Sequence, residues 1–155
     1  MPEHPYRTTG GFHDETDRCG AGVLVYCLAV RKFLVGKRGP DCNQPLTWAP
    51  FGGMVEPGEN ILVAACRELW EEAKVGLRVD DLADLYCSEG TNGFKFYTFI
   101  AAVAEQPIVR INEESSDFLW LTPQEMADIG PKHPGFEALL LDEEVQRRIR
   151  LVTSL

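Results

Sequence analysis

The stretch Gly53–Val75, GMVEPGENILVAACRELWEEAKV, constrains this chain more than any other. Gly53 is followed six residues on by Glu59, and then by Arg67-Glu68-Leu69-x-Glu71-Glu72. Leu62, Ala65, Cys66, Leu69 and Ala73 recur at three- and four-residue steps, the period of a helix with one apolar face. Glu68, Glu71 and Glu72 stand at i, i+3 and i+4, so they gather on another face, with Arg67 at its border. Like charges at that spacing destabilise a bare helix. Three clustered carboxylates are therefore either a solvated face or a site for a hard divalent cation. Mg²⁺ takes oxygen ligands and completes its shell with water and substrate phosphates.

The lead-in favours the second reading. Trp48-Ala49-Pro50-Phe51-Gly52-Gly53 and Glu56-Pro57-Gly58-Glu59 are rich in Gly and Pro and read as a loop feeding the helix. Glycines there let backbone approach a ligand closely. Glu59 or Asn60 can cap or charge the helix start. The spacing resembles the signature of the Nudix hydrolase family, G-x5-E-x7-R-E-U-x-E-E-x-G-U, where U is a bulky apolar residue. Gly53, Glu59, Arg67, Glu68, Leu69, Glu71, Glu72 and Val75 match it, and Lys74 stands where the signature has Gly. A helix ending in a left-handed residue prefers Gly there. The helix is therefore expected to run on to about Lys74 or Val75, with Gly76 taking the positive φ.

The resemblance implies an α+β chain in the Nudix fold, an α/β/α sandwich around a mixed sheet. It implies a hydrolase in which water attacks a diphosphate linking a nucleoside to another group, with Mg²⁺ as cofactor and Mn²⁺ as an alternative. Carried over residue by residue, Glu68 and Glu72 become direct metal ligands, Glu71 a direct or water-mediated one, and the Gly52 carbonyl a backbone ligand. Arg67 would hold a carboxylate in place and Glu59 would link loop to helix. The general base lies in the box in some members and on a loop outside it in others. Glu68 is the candidate inside; Glu113 and Glu114, on a polar loop, are those outside.

Substrate contacts are less constrained. Lys37 and Arg38 could meet phosphates, although a lone cation is more often a solvated one. Tyr97, with Phe94, Phe96 and Trp48, could stack a base, although a strand aromatic is more often core. Cys66 lies on the apolar stripe and reads as packing. A second class also fits the box, a non-catalytic module of the same fold that binds a nucleotide or a protein. Retention of Glu68, Glu71 and Glu72 favours the enzyme.

Composition narrows the partners. The 155 residues suit one domain with a substantial core. The net charge of −9 and pI of 4.8 argue against long nucleic acid, which needs a basic face, but not against a small phosphorylated nucleotide. No apolar run is long enough to span a bilayer. Five cysteines, odd in number and without CxxC pairing, read as reduced thiols of a cytoplasmic protein. A homodimer is the assembly left open.

Residues 1–18 are polar and aperiodic and read as a flexible N-terminal arm containing His4 and His13; residues 19–155 read as the Nudix domain. Within the domain, Ala21–Val30 and Phe33–Arg38 form an expected hairpin. Thr47–Phe51 is a short strand before the glycine loop. A strand is expected from near Leu77, another over Phe94–Ala104 and a short one over Asp117–Leu121. Thr122-Pro123-x-Glu125 opens a capped helix, and Phe136–Leu151 reads as one amphipathic helix.

Overall fold

The structure, a computed structural model, describes residues 18–155. The arm with His4 and His13, apart from Arg18, lies outside the described residues. The strands are β1 (Cys19–Cys27), β2 (Lys32–Arg38), β3 (Trp48–Ala49), β4 (Phe51–Met54), β5 (Ala83–Glu89), β6 (Lys95–Val103) and β7 (Ser115–Leu121). The helices are α1 (Ile61–Ala73), α2 (Pro123–Asp128), α3 (Pro134–Leu141) and α4 (Glu143–Thr153). The sheet runs β3-β2-β1-β6-β5, with β4 also pairing β1 and β7 also pairing β2. β1 and β6 are parallel, whereas the β1–β2, β1–β4, β2–β7 and β5–β6 pairs are antiparallel, so the sheet is mixed.

β1 is buried along its whole length because it is covered on both faces. Its alternate residues Ala21, Val23 and Val25 join Leu62, Ala65, Leu69 and Ala73 of α1 in one core. Leu24 and Tyr26 face the other way and join Met126 of α2, Phe136 and Leu139 of α3, and Val145 and Ile149 of α4 in a second. This is the helix–sheet–helix layering expected of the family. Each enclosed Leu or Phe contributes about 1.5–3 kcal/mol relative to exposure.

Local structure departs from the sequence reading at four places. The glycines before α1 are not in a loop: Gly52 and Gly53 belong to β4, where Gly52 pairs with Gly22 of β1. A Cβ on Gly52 would lie 2.5 Å from the Ala21 carbonyl oxygen and 2.6 Å from the Gly22 Cα, so the two strands meet this closely only without side chains. β5 begins at Ala83 rather than near Leu77, because Asp81 accepts the Arg78 N–H and folds residues 79–81 into a 3-10 turn. The stretch Phe136–Leu151 is two helices, broken at Asp142, whose backbone is extended and whose carboxylate caps α4 by accepting the Val145 N–H. The fourth departure is the end of α1.

There the left-handed residue is Lys74 itself (φ 58°, ψ 29°), and Gly76 does not take a positive φ. Two interactions explain why Lys74 accepts it. The buried Val75 must return to the α1 core immediately after the helix, which requires the reversal at residue 74. The Lys74 ammonium also sits 5.5 Å from the centre of the Trp70 ring. A left-handed residue with a Cβ costs about 1–2 kcal/mol, and an exposed cation–π contact returns about 0.5–1 kcal/mol. Lys74→Gly is therefore expected to stabilise the protein by roughly 0.5–1 kcal/mol. Lys74→Ala keeps the strain, loses the contact and is expected to destabilise it by a similar amount. Urea unfolding of the two variants checks this; equal signs would reject the account.

Candidate active site

The box residues meet where α1 lies against β4. Asn60 caps the helix, its side-chain oxygen accepting the Leu62 and Val63 N–H groups at 2.9 and 3.3 Å. Glu59 is free for another contact: its carboxylate takes both ends of the Arg67 guanidinium, at 2.7 and 2.8 Å, and accepts the Glu56 N–H at 3.0 Å. Arg67 in turn donates to Glu68 at 3.0 Å, to Glu71 at 3.1 Å and to the Met54 carbonyl at 3.1 Å. One guanidinium thus ties the turn before α1, the end of β4 and two helix acids together. Its partnership with Glu59 lowers the pKa of that carboxyl.

Glu68 and Glu72 project from α1 onto the glycines of β4 and are nearly enclosed. A Cβ on Gly53 would fall 2.5 Å from the Glu68 carboxyl carbon, so Gly53 is the space in which that carboxylate lies. Gly52 donates its N–H to Glu72 at 3.0 Å. In an antiparallel strand one residue's N–H and C=O point the same way, so the Gly52 carbonyl also faces away from β1, on the Glu72 side.

The third acid comes from the loop before β7. Asn112 accepts the Glu114 N–H and donates its own amide to the Glu71 carbonyl, while the Arg110 and Asn112 N–H groups bond the Ala73 and Glu72 carbonyls. These bonds satisfy carbonyls left over at the end of α1 and carry the loop to the acid face. As a result Glu68, Glu72 and Glu114 each offer an oxygen within 4.8 Å of the others. Glu113 is exposed and outside this group. Glu71 is at its edge, half exposed and held by Arg67.

The three acids are not equivalent. Burial raises Glu68 above the usual carboxylate range, while its contact with Arg67 opposes the rise. Glu72 has no such cation. Its burial, its hydrogen bonding to Glu114 and the charge of Glu68 push it up to about 9. The donor set is oxygen only, anionic and compact, and Gly53 leaves room beside it. It fits a hard divalent cation, which would replace the proton that Glu72 holds.

The cluster closes one end of a cleft of about 780 Å³. Arg38 lines this cleft, with its Nε donating to the Asn43 carbonyl at 2.7 Å. Lys37 does not line it; its ammonium lies over the Trp48 ring at 5.8 Å. Tyr97 is buried in the core between sheet and α1, and the neighbouring aromatics Phe94 and Phe96 line the cleft instead. Strand alternation puts Phe94 and Phe96 on the face opposite Tyr97, but does not tell which side is the cleft. Asn112 and His133 were not anticipated. No spacing signals an Asn that positions a loop, and His133 precedes a Pro as an ordinary turn residue would.

The NUDIX domain family model matches residues 18–140, and the chain belongs to the Nudix family. Its hydrolases are pyrophosphohydrolases acting on phosphorus-containing anhydrides, and this chain is of that class. The nucleoside triphosphatase NudI of Escherichia fergusonii is 35% identical over 94 residues, covering 54% of this chain and 67% of that protein. The Salmonella newport NudI is 32% identical over the same length. Among solved structures, the Caenorhabditis elegans Ap4A hydrolase binary complex matches with a TM-score of 0.69 at 20% identity, over 88% of this chain and 99% of that one. The NUDIX domain of Shewanella oneidensis NrtR, complexed with ADP ribose, matches with a TM-score of 0.69 at 16% identity, over 96% of this chain and 99% of that one. These structural likenesses establish the fold. Among the described residues no helix is long and apolar enough to cross a membrane.

The buried acid gives a pH prediction for the metal-free protein. Folded Glu72 titrates near 9 and an ordinary Glu near 4.5, so between those values the folded state holds a proton that the unfolded state releases. Its stabilising contribution is whole below about pH 4.5 and is lost as pH rises towards 9. Melting with a chelator present should show stability falling from pH 5 to 9. Glu72→Gln, which mimics the protonated acid, should flatten that fall and be the more stable protein at pH 8. An unchanged slope would contradict the burial of Glu72.

Proposed function

We propose that the chain is a Mg²⁺-dependent hydrolase of nucleoside diphosphate-linked compounds, with Mn²⁺ as a substitute metal and nucleoside triphosphates as the first substrates to try. The observation that carries this is the convergence of Glu68, Glu72 and Glu114 within 4.8 Å at one end of a nucleotide-sized cleft. The NudI relatives, named nucleoside triphosphatases, support the substrate choice. A binding module of the same fold would have no need to bury Glu68 and Glu72 beside Glu114, an arrangement that is costly without a cation. Five free cysteines suit a reducing, cytoplasmic setting.

In this reading Glu68, Glu72 and the Gly52 carbonyl would hold the metal, with Glu71 a direct or water-mediated ligand. The metal supplies positive charge to the diphosphate oxygens and makes water more acidic. Arg67 favours the ionised form of Glu68 and aims it, and Gly53 leaves that carboxylate its place. Arg38 meets a phosphate or another oxygen of the substrate from the cleft wall. Water attacks one phosphorus, its proton passes to a carboxylate, and the bridging P–O bond breaks so that the other phosphoryl-bearing half leaves. Glu114 is the carboxylate best suited to take the proton, because it stands on a loop beside the cluster rather than being fixed along α1.

The test is a set of Gln variants assayed with Mg²⁺ and nucleoside triphosphates. Glu68→Gln and Glu72→Gln should lose kcat by orders of magnitude and lose Mg²⁺ affinity while remaining folded. Glu114→Gln should lose kcat by about 10²-fold or more. Glu113→Gln should stay within a few-fold of wild type. Near-normal turnover in the Glu68 and Glu72 variants would sink the metal reading. A full effect at Glu113 with none at Glu114 would overturn the choice of base.

A second prediction concerns the strand. Gly53→Ala should leave the fold intact yet lower Mg²⁺ affinity and kcat together, because the added methyl displaces the Glu68 carboxylate. Unchanged metal affinity in that variant would show that the close approach is not needed.

A further inference from the structure

The cleft has a second polar patch, built differently from the acid cluster. His133 lines it beside Arg38 and the β5 wall of Tyr86 and Ser88. Both the backbone of His133 and one of its ring nitrogens are held. Its backbone N–H donates to the Trp48 carbonyl at 3.0 Å, and its Nδ1 accepts the Gly135 N–H at 3.0 Å, capping α3. A ring nitrogen that accepts carries no proton, so the proton of the neutral ring is on Nε2. Burial first, then the nearby Arg38 charge, lowers the pKa of His133 and keeps the ring neutral. Arg38 has its Nε committed to Asn43, and among the described residues its remaining N–H groups have no carboxylate partner. Neither side chain has an acceptor left to offer. A ligand group seated between His133 and Arg38 must bring oxygen or nitrogen acceptors, and an exocyclic amino group would find no acceptor on either of them.

The cleft also supplies the surface a base needs. Phe94, Phe96 and Tyr86 give it an aromatic lining. Resting on the catalytic reading above, we propose that His133, with Arg38, is a specificity-determining residue that reads the acceptor edge of the substrate's nucleobase. At the edge that carries the 6- or 4-substituent, guanine O6 and N7, or the two lone pairs of uracil O4, satisfy both donors, whereas the adenine N6 and cytosine N4 amino groups set a donor against one of them. A half-buried donor left facing an amino group loses its partner in the bound state, so the two kinds of base should be told apart. Phosphate oxygens are also acceptors, and the experiment separates that source.

Binding of nucleoside monophosphates is measured by calorimetry without metal, so that it does not depend on turnover. GMP and UMP should bind about tenfold more tightly than AMP and CMP. His133→Ser keeps a side-chain oxygen to cap α3 but presents no donor to the base, and should bring the two pairs within about twofold. His133→Asp also keeps the cap, offers an acceptor instead of a donor, and should move the preference towards the amino bases. With triphosphates and Mg²⁺ the same variants should alter KM ratios between bases more than kcat. The Glu72→Gln protein, which the catalytic reading expects to be inactive, should keep the keto preference, so failure of catalysis and failure of this inference are distinguishable. Equal wild-type binding of keto and amino nucleotides, or no binding of any at millimolar concentration, overturns the proposal. Equal loss for all four nucleotides and for inorganic pyrophosphate in His133→Ser also overturns it and assigns the residue to phosphate.

Discussion

Everything at the acid end of the cleft depends on how closely β4 can lie to α1 and to β1. Gly52 faces Gly22 across the β1–β4 pair, and Gly53 faces the Glu68 carboxylate. With a side chain at either position of β4, the strand would stand off by the width of a methyl group. The Gly52 N–H would then miss Glu72, and the Met54 carbonyl would move away from Arg67. The glycines act here as absent volume, not as flexible hinges. Neither has a positive φ, and both sit in regular strand.

The same closeness creates an electrostatic problem that the chain solves only on one side. Arg67 touches Glu59, Glu68 and Glu71, and so accounts for the acids along the outer edge of α1. It does not reach Glu72, which lies deeper, with a backbone amide and two other carboxylates for neighbours. A second arginine there would remove the repulsion and would also fill the place of a cation. The protein leaves the charge unbalanced and takes up a proton instead. A buried acid retained in that state is costly to stability and useful only if something positive replaces the proton.

Much of this was legible in the chain because the helix and its acids are local. The period of α1, the Asn60 cap and the Arg67–Glu68–Glu71–Glu72 face all follow from residues within one stretch. The Thr122–Glu125 capping box was equally local, with both of its hydrogen bonds present. What escaped the reading were features set by distant partners. Gly52 and Gly53 look like a loop until β1 is placed beside them. Lys74 looks unfit for a left-handed turn until Val75 is seen to need the core and Trp70 to lie under the ammonium. Asp142 looks like one more polar position in a long helix until its carboxylate is seen to start a new one. Glu113 and Glu114 could not be told apart in sequence. Asn112, bonded both to α1 and to the Glu114 amide, is what separates them.

The two polar parts of the cleft also differ in how they are anchored, and this has a consequence for evolution of the substrate. The acid end hangs on α1, β4 and the 110–114 segment, joined by backbone hydrogen bonds from Arg110 and Asn112 and by the Asn112 and Arg67 side chains. The donor patch hangs on two side chains, Arg38 at the end of β2 and His133 at the start of α3. His133 is fixed by a cap that Ser, Thr, Asn or Asp could also provide. Exchange among those residues would change which hydrogen-bonding groups face the cleft at little cost to the fold. On the reading proposed above, such a chain keeps its phosphorus chemistry while the base it prefers changes, because the acids are held by α1, β4 and the 110–114 segment and the base contact rests on one or two replaceable side chains.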